Sequence, residues 1–193
     1  LFVKEYAKSH NLSFFDIAAH TGLLRNLIIR ISNTTGDIMV IIVAGASERE
    51  DYDIVKEKGK SRNRFTDALS PKAKAAVEAL LDAVCEKFPE VSSTFYVANN
   101  KGNDTMAGCP IFHHSGTEYI TEKMENLNFR IRPKSFYQTN SAQAYKLYSV
   151  VRDFAALSGT ETVYDLYTGT GTIALFLSGK ASKVVGIEYV EDA

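Results

Sequence analysis

One stretch constrains this chain more than any other: Thr162-Val163-Tyr164-Asp165-Leu166-Tyr167-Thr168-Gly169-Thr170-Gly171, with an apolar run behind it that closes on Glu188. Val163, Tyr164 and Leu166 predict a buried strand, the glycines a turn, and Thr172 to Ser178 the opening of a helix. Lys183 to Ile187 predicts a second strand that ends on a carboxylate. This order makes one nucleotide-type βαβ half. Gly169 and Gly171 let the backbone approach a ligand, and Glu188 can hold ribose hydroxyls.

Gly169-Thr170-Gly171-Thr172-Ile173-Ala174 also fits the G-x-G-x-x-A form of the dinucleotide fingerprint, so an NAD-binding oxidoreductase is one reading. Asp165, four residues before the first glycine, argues for another. A carboxylate at that strand end repels a pyrophosphate but suits a ligand carrying an ammonium and a sulfonium, as S-adenosyl-L-methionine does. Most of the chain also precedes this unit, whereas a dinucleotide fold usually begins near it. The expected cofactor is therefore S-adenosyl-L-methionine. The bland alternative is a glycine turn that holds no ligand.

The rest of the chain reads as α/β. Leu1 to Ser9 predicts a helix with Phe2, Tyr6 and Val3 inward. Leu23 to Ile31 and Ile38 to Val43 predict a hairpin around Asn33-Thr34-Thr35-Gly36-Asp37. Ser70-Pro71 supplies a cap and a first-turn proline for a helix whose apolar face is Val77, Leu80, Leu81, Val84 and Phe88. Further strands are expected at Ser93 to Ala98, Pro110 to His114, Glu118 to Thr121 and Leu127 to Ile131. After Arg132-Pro133-Lys134-Ser135-Phe136-Tyr137-Gln138-Thr139-Asn140-Ser141 comes a helix with Ala144, Leu147, Tyr148, Val151, Phe154 and Ala155 at helical spacing, capped by Asn140 or Ser141. The pattern changes at Pro133, which places a domain boundary there: residues 1–132 as a mixed-sheet central domain, 133–193 as the first part of a Rossmann-like domain.

Taken together, the Ser-Phe-Tyr-Gln-Thr-Asn run, the helix after it, the Asp-Leu-Tyr-Thr-Gly-Thr-Gly loop and the Val-Val-Gly-Ile-Glu strand resemble the RNA uracil-5-methyltransferase family, including its 23S ribosomal RNA and tRNA members. The likeness is close over residues 133–193. It is looser upstream, where Gly22-Leu23-Leu24-Arg25 looks like the family's Gly-x-Leu-Arg segment. It implies that Gln138, Tyr167 and Glu188 contact S-adenosyl-L-methionine, with Asp165, Gly169 and Gly171 shaping the same site. Many members carry Cys where Thr168 stands and Asn where Thr172 stands, so no contact is assigned to Thr172.

The resemblance also implies a mechanism. Carbon 5 of uracil is a poor nucleophile, and the family activates it by adding a cysteine thiolate to carbon 6. That cysteine and its base sit on later strands, so they are expected beyond Ala193, and the 193 residues taken alone are expected to be inactive. Of the two cysteines, Cys85 reads as core on its helix and Cys109 as exposed at a strand edge. No disulfide framework, metal spacing or iron-sulfur cysteine cluster is expected, and His113-His114 point to opposite faces of a strand.

A net charge of −1 does not announce nucleic acid, so an RNA site must be a local patch. Lys56, Lys58, Lys60, Arg62 and Arg64 would share one side of an extended segment, a row suited to phosphates or simply a solvated loop. Arg130, Arg132 and Lys134 form a second group just before the cofactor contacts. Apolar runs are too short to span a membrane, and the setting is expected to be cytoplasmic. The reading reached is an α/β piece of an S-adenosyl-L-methionine-dependent RNA uracil-5-methyltransferase, with 23S ribosomal RNA favoured over tRNA. The alternatives are the NAD-binding oxidoreductase and a non-enzymatic RNA-binding module.

Overall fold

The computed structural model describes residues 1–45 and 69–189. Its contacts group into two units: Leu1–Ile31 with Asp37–Glu118, and Ser32–Gly36 with Tyr119–Ala193. The boundary expected at Pro133 falls inside the second of these.

The first unit is a four-stranded sheet carrying helices. It comprises α1 (Phe2–Ser9), β1 (Leu24–Ile31), β2 (Ile38–Ala44), α2 (Pro71–Lys87), β3 (Val91–Ala98) and β4 (Ile111–Gly116). The strand order is β1-β2-β3-β4, antiparallel except for the β2–β3 pair. Parallel neighbours need a long crossover, and α2 lies in that connection. Ser70 caps α2 by accepting from the Ala73 amide, with Pro71 in the first turn, as expected. The predicted apolar face of α2 packs with Ala7, Val40, Ile42, Ala44 and Tyr96. Met39, Ile41 and Val43 on the other face of β2 are buried too, so this strand reads as a continuous apolar run rather than an alternation.

The second unit holds the hairpin β5 (Ile120–Met124) and β6 (Leu127–Ile131), helix α3 (Ser141–Ala155), and the parallel pair β7 (Thr162–Leu166) and β8 (Lys183–Ile187) joined by α4 (Thr172–Ser178). Asn140 caps α3 by accepting from the Gln143 amide. Met124, Phe129, Ala144, Tyr148 and Phe176 form its core, with Leu127, Tyr137 and Ile173 packed against them. Residues 32–36 are held to β5: the Asn33 amide donates to Glu122 Oε2 at 3.1 Å, the Lys123 amide to Thr34 Oγ1 at 2.7 Å, and the Thr35 hydroxyl to the Thr121 carbonyl at 2.7 Å.

Three expectations change. β7 is not a buried strand: Tyr164 and Leu166 are exposed, because the described residues put no second layer over that face. On α3 only Ala144 and Tyr148 are buried, while Leu147 and Phe154 face outward for the same reason. Cys109 is buried rather than exposed at an edge, since the 99–109 loop folds back so that its thiol meets the Thr105 carbonyl at 3.7 Å. Cys85 is half-buried, 3.5 Å from the Ser115 hydroxyl.

Candidate functional site

The turn after β7 is built by three left-handed residues in five: Tyr167 (φ 64°), Gly169 (φ 54°) and Gly171 (φ 74°). Glycine adopts this region without penalty, whereas a tyrosine held there is strained by about 1 kcal/mol or more. The strain presents the ring to the outside, where it is 87% exposed. A side chain built on Gly169 would project into open space, leaving the backbone of the loop bare on that side.

Two carboxylates hold this turn. Asp165 Oδ2 accepts from the Thr168 hydroxyl at 2.8 Å and from the Ala174 amide at 3.0 Å, pinning the first turn of α4 to the end of β7. Glu188 Oε2 accepts from the Gly169 amide at 2.8 Å and Oε1 from the Tyr189 amide at 2.9 Å. The Thr168 amide also donates to the Ile187 carbonyl at 3.0 Å, so the turn is tied to β8 by backbone as well. Gly186 makes this approach possible. A Cβ there would lie 3.0 Å from both Thr168 Oγ1 and Cγ2.

The segment before α3 reaches the same turn through the Thr170 hydroxyl, 3.4 Å from the Phe136 carbonyl. Gln138 follows two residues later and is exposed. A cavity of about 620 Å³ opens beside the turn, along α4 and the start of β8. It is lined by Gly169 and Gly171 but not by Gln138, Asp165, Tyr167 or Glu188. The predicted site lies around the turn itself, and the cavity is its flank.

Burial raises the Tyr148 hydroxyl above its ordinary pKa, and the negative charge of Asp165 adds to the rise. Burial likewise pushes Tyr137, the neighbour of Gln138, up to about 12, with Glu122 contributing. Glu122 Oε1 and the Tyr137 hydroxyl are both buried without a hydrogen-bond partner.

In sequence, the chain is 44% identical over 191 residues to an uncharacterized RNA methyltransferase of Bacteroides thetaiotaomicron, covering 99% of this chain and 37% of that protein. It is 46% identical over 195 residues to another from Porphyromonas gingivalis, covering 100% of this chain and 36% of that protein. The chain is thus similar along its whole length to part of these RNA methyltransferases. It spans a little over a third of the length of these curated relatives. No family model matches the chain. Its fold is similar to the crystal structure of Pyrococcus abyssi tRNA (uracil-54, C5)-methyltransferase in complex with S-adenosyl-L-homocysteine, with a TM-score of 0.67 and 24% identity over 98% of this chain and 39% of that one. The architecture is thus a mixed α/β fold carrying part of a Rossmann-like sheet.

The structure brings Asp165, Tyr167, Gly169, Gly171 and Glu188 to one turn, with the segment leading to Gln138 alongside. Arg130 and Arg132 are exposed at the β6 end of the hairpin and Lys134 is half-buried. Lys56, Lys58, Lys60, Arg62 and Arg64 lie outside the described residues. His114 pairs with Asp82 at 2.7 Å and His113 packs on Phe95. No group of side chains suited to a metal ion occurs among the described residues. No described helix is long and apolar enough to cross a membrane.

Two residues escaped the sequence reading. The Arg25 side chain is 2% exposed, and its guanidinium donates to the carbonyls of Asn99, Lys101 and Asn103 and pairs with Asp104. The Gly-x-Leu-Arg likeness marked its position but not this work. Gly186 gave no signal, because a glycine inside a strand predicts a close approach without naming the partner.

Proposed function

We propose that this chain supplies the front of a methyltransferase domain and an RNA-facing domain to an enzyme that methylates carbon 5 of uridine in RNA, using S-adenosyl-L-methionine, with 23S ribosomal RNA preferred over tRNA. The observation that carries the reading is the clasp of Glu188 on the Gly169 amide. It sets a carboxylate against a bare left-handed glycine turn, the arrangement a ribose-bearing ligand needs. The identity to RNA methyltransferases along the whole chain supports the reaction class. Residues 1–132 are assigned to the RNA side and 133–193 to the donor side.

The residues present fit the donor. A carboxylate has about four acceptor positions, so Glu188, which accepts from the Gly169 and Tyr189 amides, is a group of the kind that accepts from ribose hydroxyls. Tyr167 offers an exposed ring beside the turn, held there at the cost of backbone strain. The exposed Gln138 amide both donates and accepts, which suits an amino-acid terminus. Asp165 braces α4 and contributes negative charge favourable to a cation. When bound, S-adenosyl-L-methionine supplies an electrophilic methyl group on sulfur.

Addition to carbon 6 needs an accessible thiolate with a base to finish the reaction. Cys109 is buried against a carbonyl and Cys85 sits on α2 beside a hydroxyl, so neither is assigned that role. We assign nucleophile and base to residues outside these 193. The test uses the full-length protein, RNA labelled with tritium at uridine carbon 5, and methyl-labelled donor. Transfer should release one tritium per methyl gained, with 23S ribosomal RNA methylated in preference to tRNA. Methyl incorporation with tritium retained would overturn the carbon 5 assignment.

A further inference from the structure

The β5–β6 hairpin has two unlike faces. Ile120, Glu122, Met124, Phe129 and Ile131 point into the core. On the other face Thr121 pairs with Arg130 and Lys123 with Asn128, and Arg132 continues the exposed alternation beyond β6. Tyr119, two residues before Thr121, lies diagonally across from Arg130, whose guanidinium sits 4.8 Å from the centre of its ring. The hairpin's carboxylates are drawn away from this face. Glu122 is buried on the core side, and Glu125 is held by Arg152 in a two-pronged pair at 3.0 Å. Lys123, Arg130 and Arg132 form a short row around a ring stacked with a guanidinium.

We infer that the outer face of the β5–β6 hairpin, centred on Tyr119 and Arg130, binds an unpaired stretch of the RNA substrate, one base stacking on the tyrosine–arginine pair and flanking phosphates meeting Lys123 and Arg132. The inference rests on the RNA methyltransferase reading and adds a binding surface to it. Unpaired bases expose flat faces that stack on aromatic rings and guanidinium planes, whereas a duplex hides them. Alternate residues on a strand stand about 7 Å apart, the scale of one step along an extended nucleic-acid strand. Cations at that interval therefore meet successive phosphates. An acidic protein partner would use the charges but gain nothing from the stacked ring.

The experiment compares the full-length protein with Y119L, Y119F, R130Q and R132Q, titrating a uridine-containing single-stranded RNA and its duplex by fluorescence anisotropy over a salt series. Y119L should weaken single-strand binding about 5- to 150-fold, while Y119F, which keeps the ring, stays near the parent. R132Q should reduce the log–log salt slope by roughly 0.7, and R130Q, which removes the guanidinium stacked on Tyr119, should weaken single-strand binding. Duplex binding should change less. Binding of S-adenosyl-L-homocysteine, measured in parallel, should be unchanged in all four and reports intact folding. A parent that binds RNA while Y119L and R130Q match it in affinity and slope overturns this surface alone. A parent that binds no RNA overturns both the surface and the RNA reading beneath it.

Discussion

The Glu188 carboxylate and the Gly169 amide meet at 2.8 Å, and through this bond the end of β8 holds the turn that follows β7. One side chain thus ties the strand end to the loop beside it. Glu188→Ala in the full-length protein should weaken S-adenosyl-L-methionine binding by about 1–3 kcal/mol, the scale of lost charge-assisted hydrogen bonds. Glu188→Gln, whose amide keeps an acceptor for the Gly169 amide, should lose less. Calorimetry measures both, and an affinity unchanged in the alanine variant would remove Glu188 from the site.

Arg25 should prove irreplaceable by lysine. Its planar fork reaches three carbonyls and a carboxylate while lying 4.0 Å over the Phe15 ring, a geometry a single ammonium cannot reproduce. Arg25→Met should cost about 3 kcal/mol or more in urea unfolding, because it leaves several acceptors unpaired, and Arg25→Lys should recover only part of that. Equal midpoints for Arg25→Lys and the parent would refute the role.

Tyr137 gives an alkaline signature. Its folded pKa, pushed up to about 12 by burial, lies above the ordinary value of 10.0. The neutral form is therefore favoured by folding: its contribution is complete below pH 10 and lost as pH rises through about 12. Because the hydroxyl is buried without a partner, Tyr137→Phe should leave stability equal or raise it by up to ~1 kcal/mol, and should remove the loss between pH 10 and 12. Unfolding curves at pH 8 and pH 11 make the comparison.

Glu161 gives the acid counterpart. Bonds from the Ser158 hydroxyl first, then from backbone amides of the same turn, lower its pKa from 4.5 to about 2. Its contribution is therefore complete above pH 4.5 and disappears as pH falls towards 2. Glu161→Gln should flatten that part of the stability–pH curve. Carboxyl titration by NMR reads the shift directly, and a Glu161 titrating at its ordinary value would contradict the turn.

Much of this was legible in the chain itself. Helical spacing and capping residues located α2 and α3, and the strand–glycine–helix order located β7, α4 and β8, because local chemistry decides those features. The clustering of Asp165, Tyr167 and Glu188 followed from the same order. The bracing role of Asp165 did not: its bond to Ala174 depends on where α4 starts in space, not on residue type. Cys109 was misjudged because its burial comes from a loop folding back on itself. Apolar spacing on α3 and β7 led to an expectation of burial that the structure overturns, because spacing does not say whether a covering layer is present. Nor could sequence show Asn33, Thr34 and Thr35 meeting β5 across nearly ninety positions, a pairing set by tertiary contact alone.

The uncovered strand β7 has a colloidal consequence. Among the described residues β7 and β8 each have a single strand neighbour, so each offers an open row of amides and carbonyls beside the apolar Tyr164 and Leu166. A two-stranded ribbon is marginal alone and its bare edges template pairing with another chain. Prepared by themselves, these 193 residues should therefore self-associate through β7, as light scattering would read, and a charge set into that ribbon, as in Leu166→Lys, should keep them dispersed.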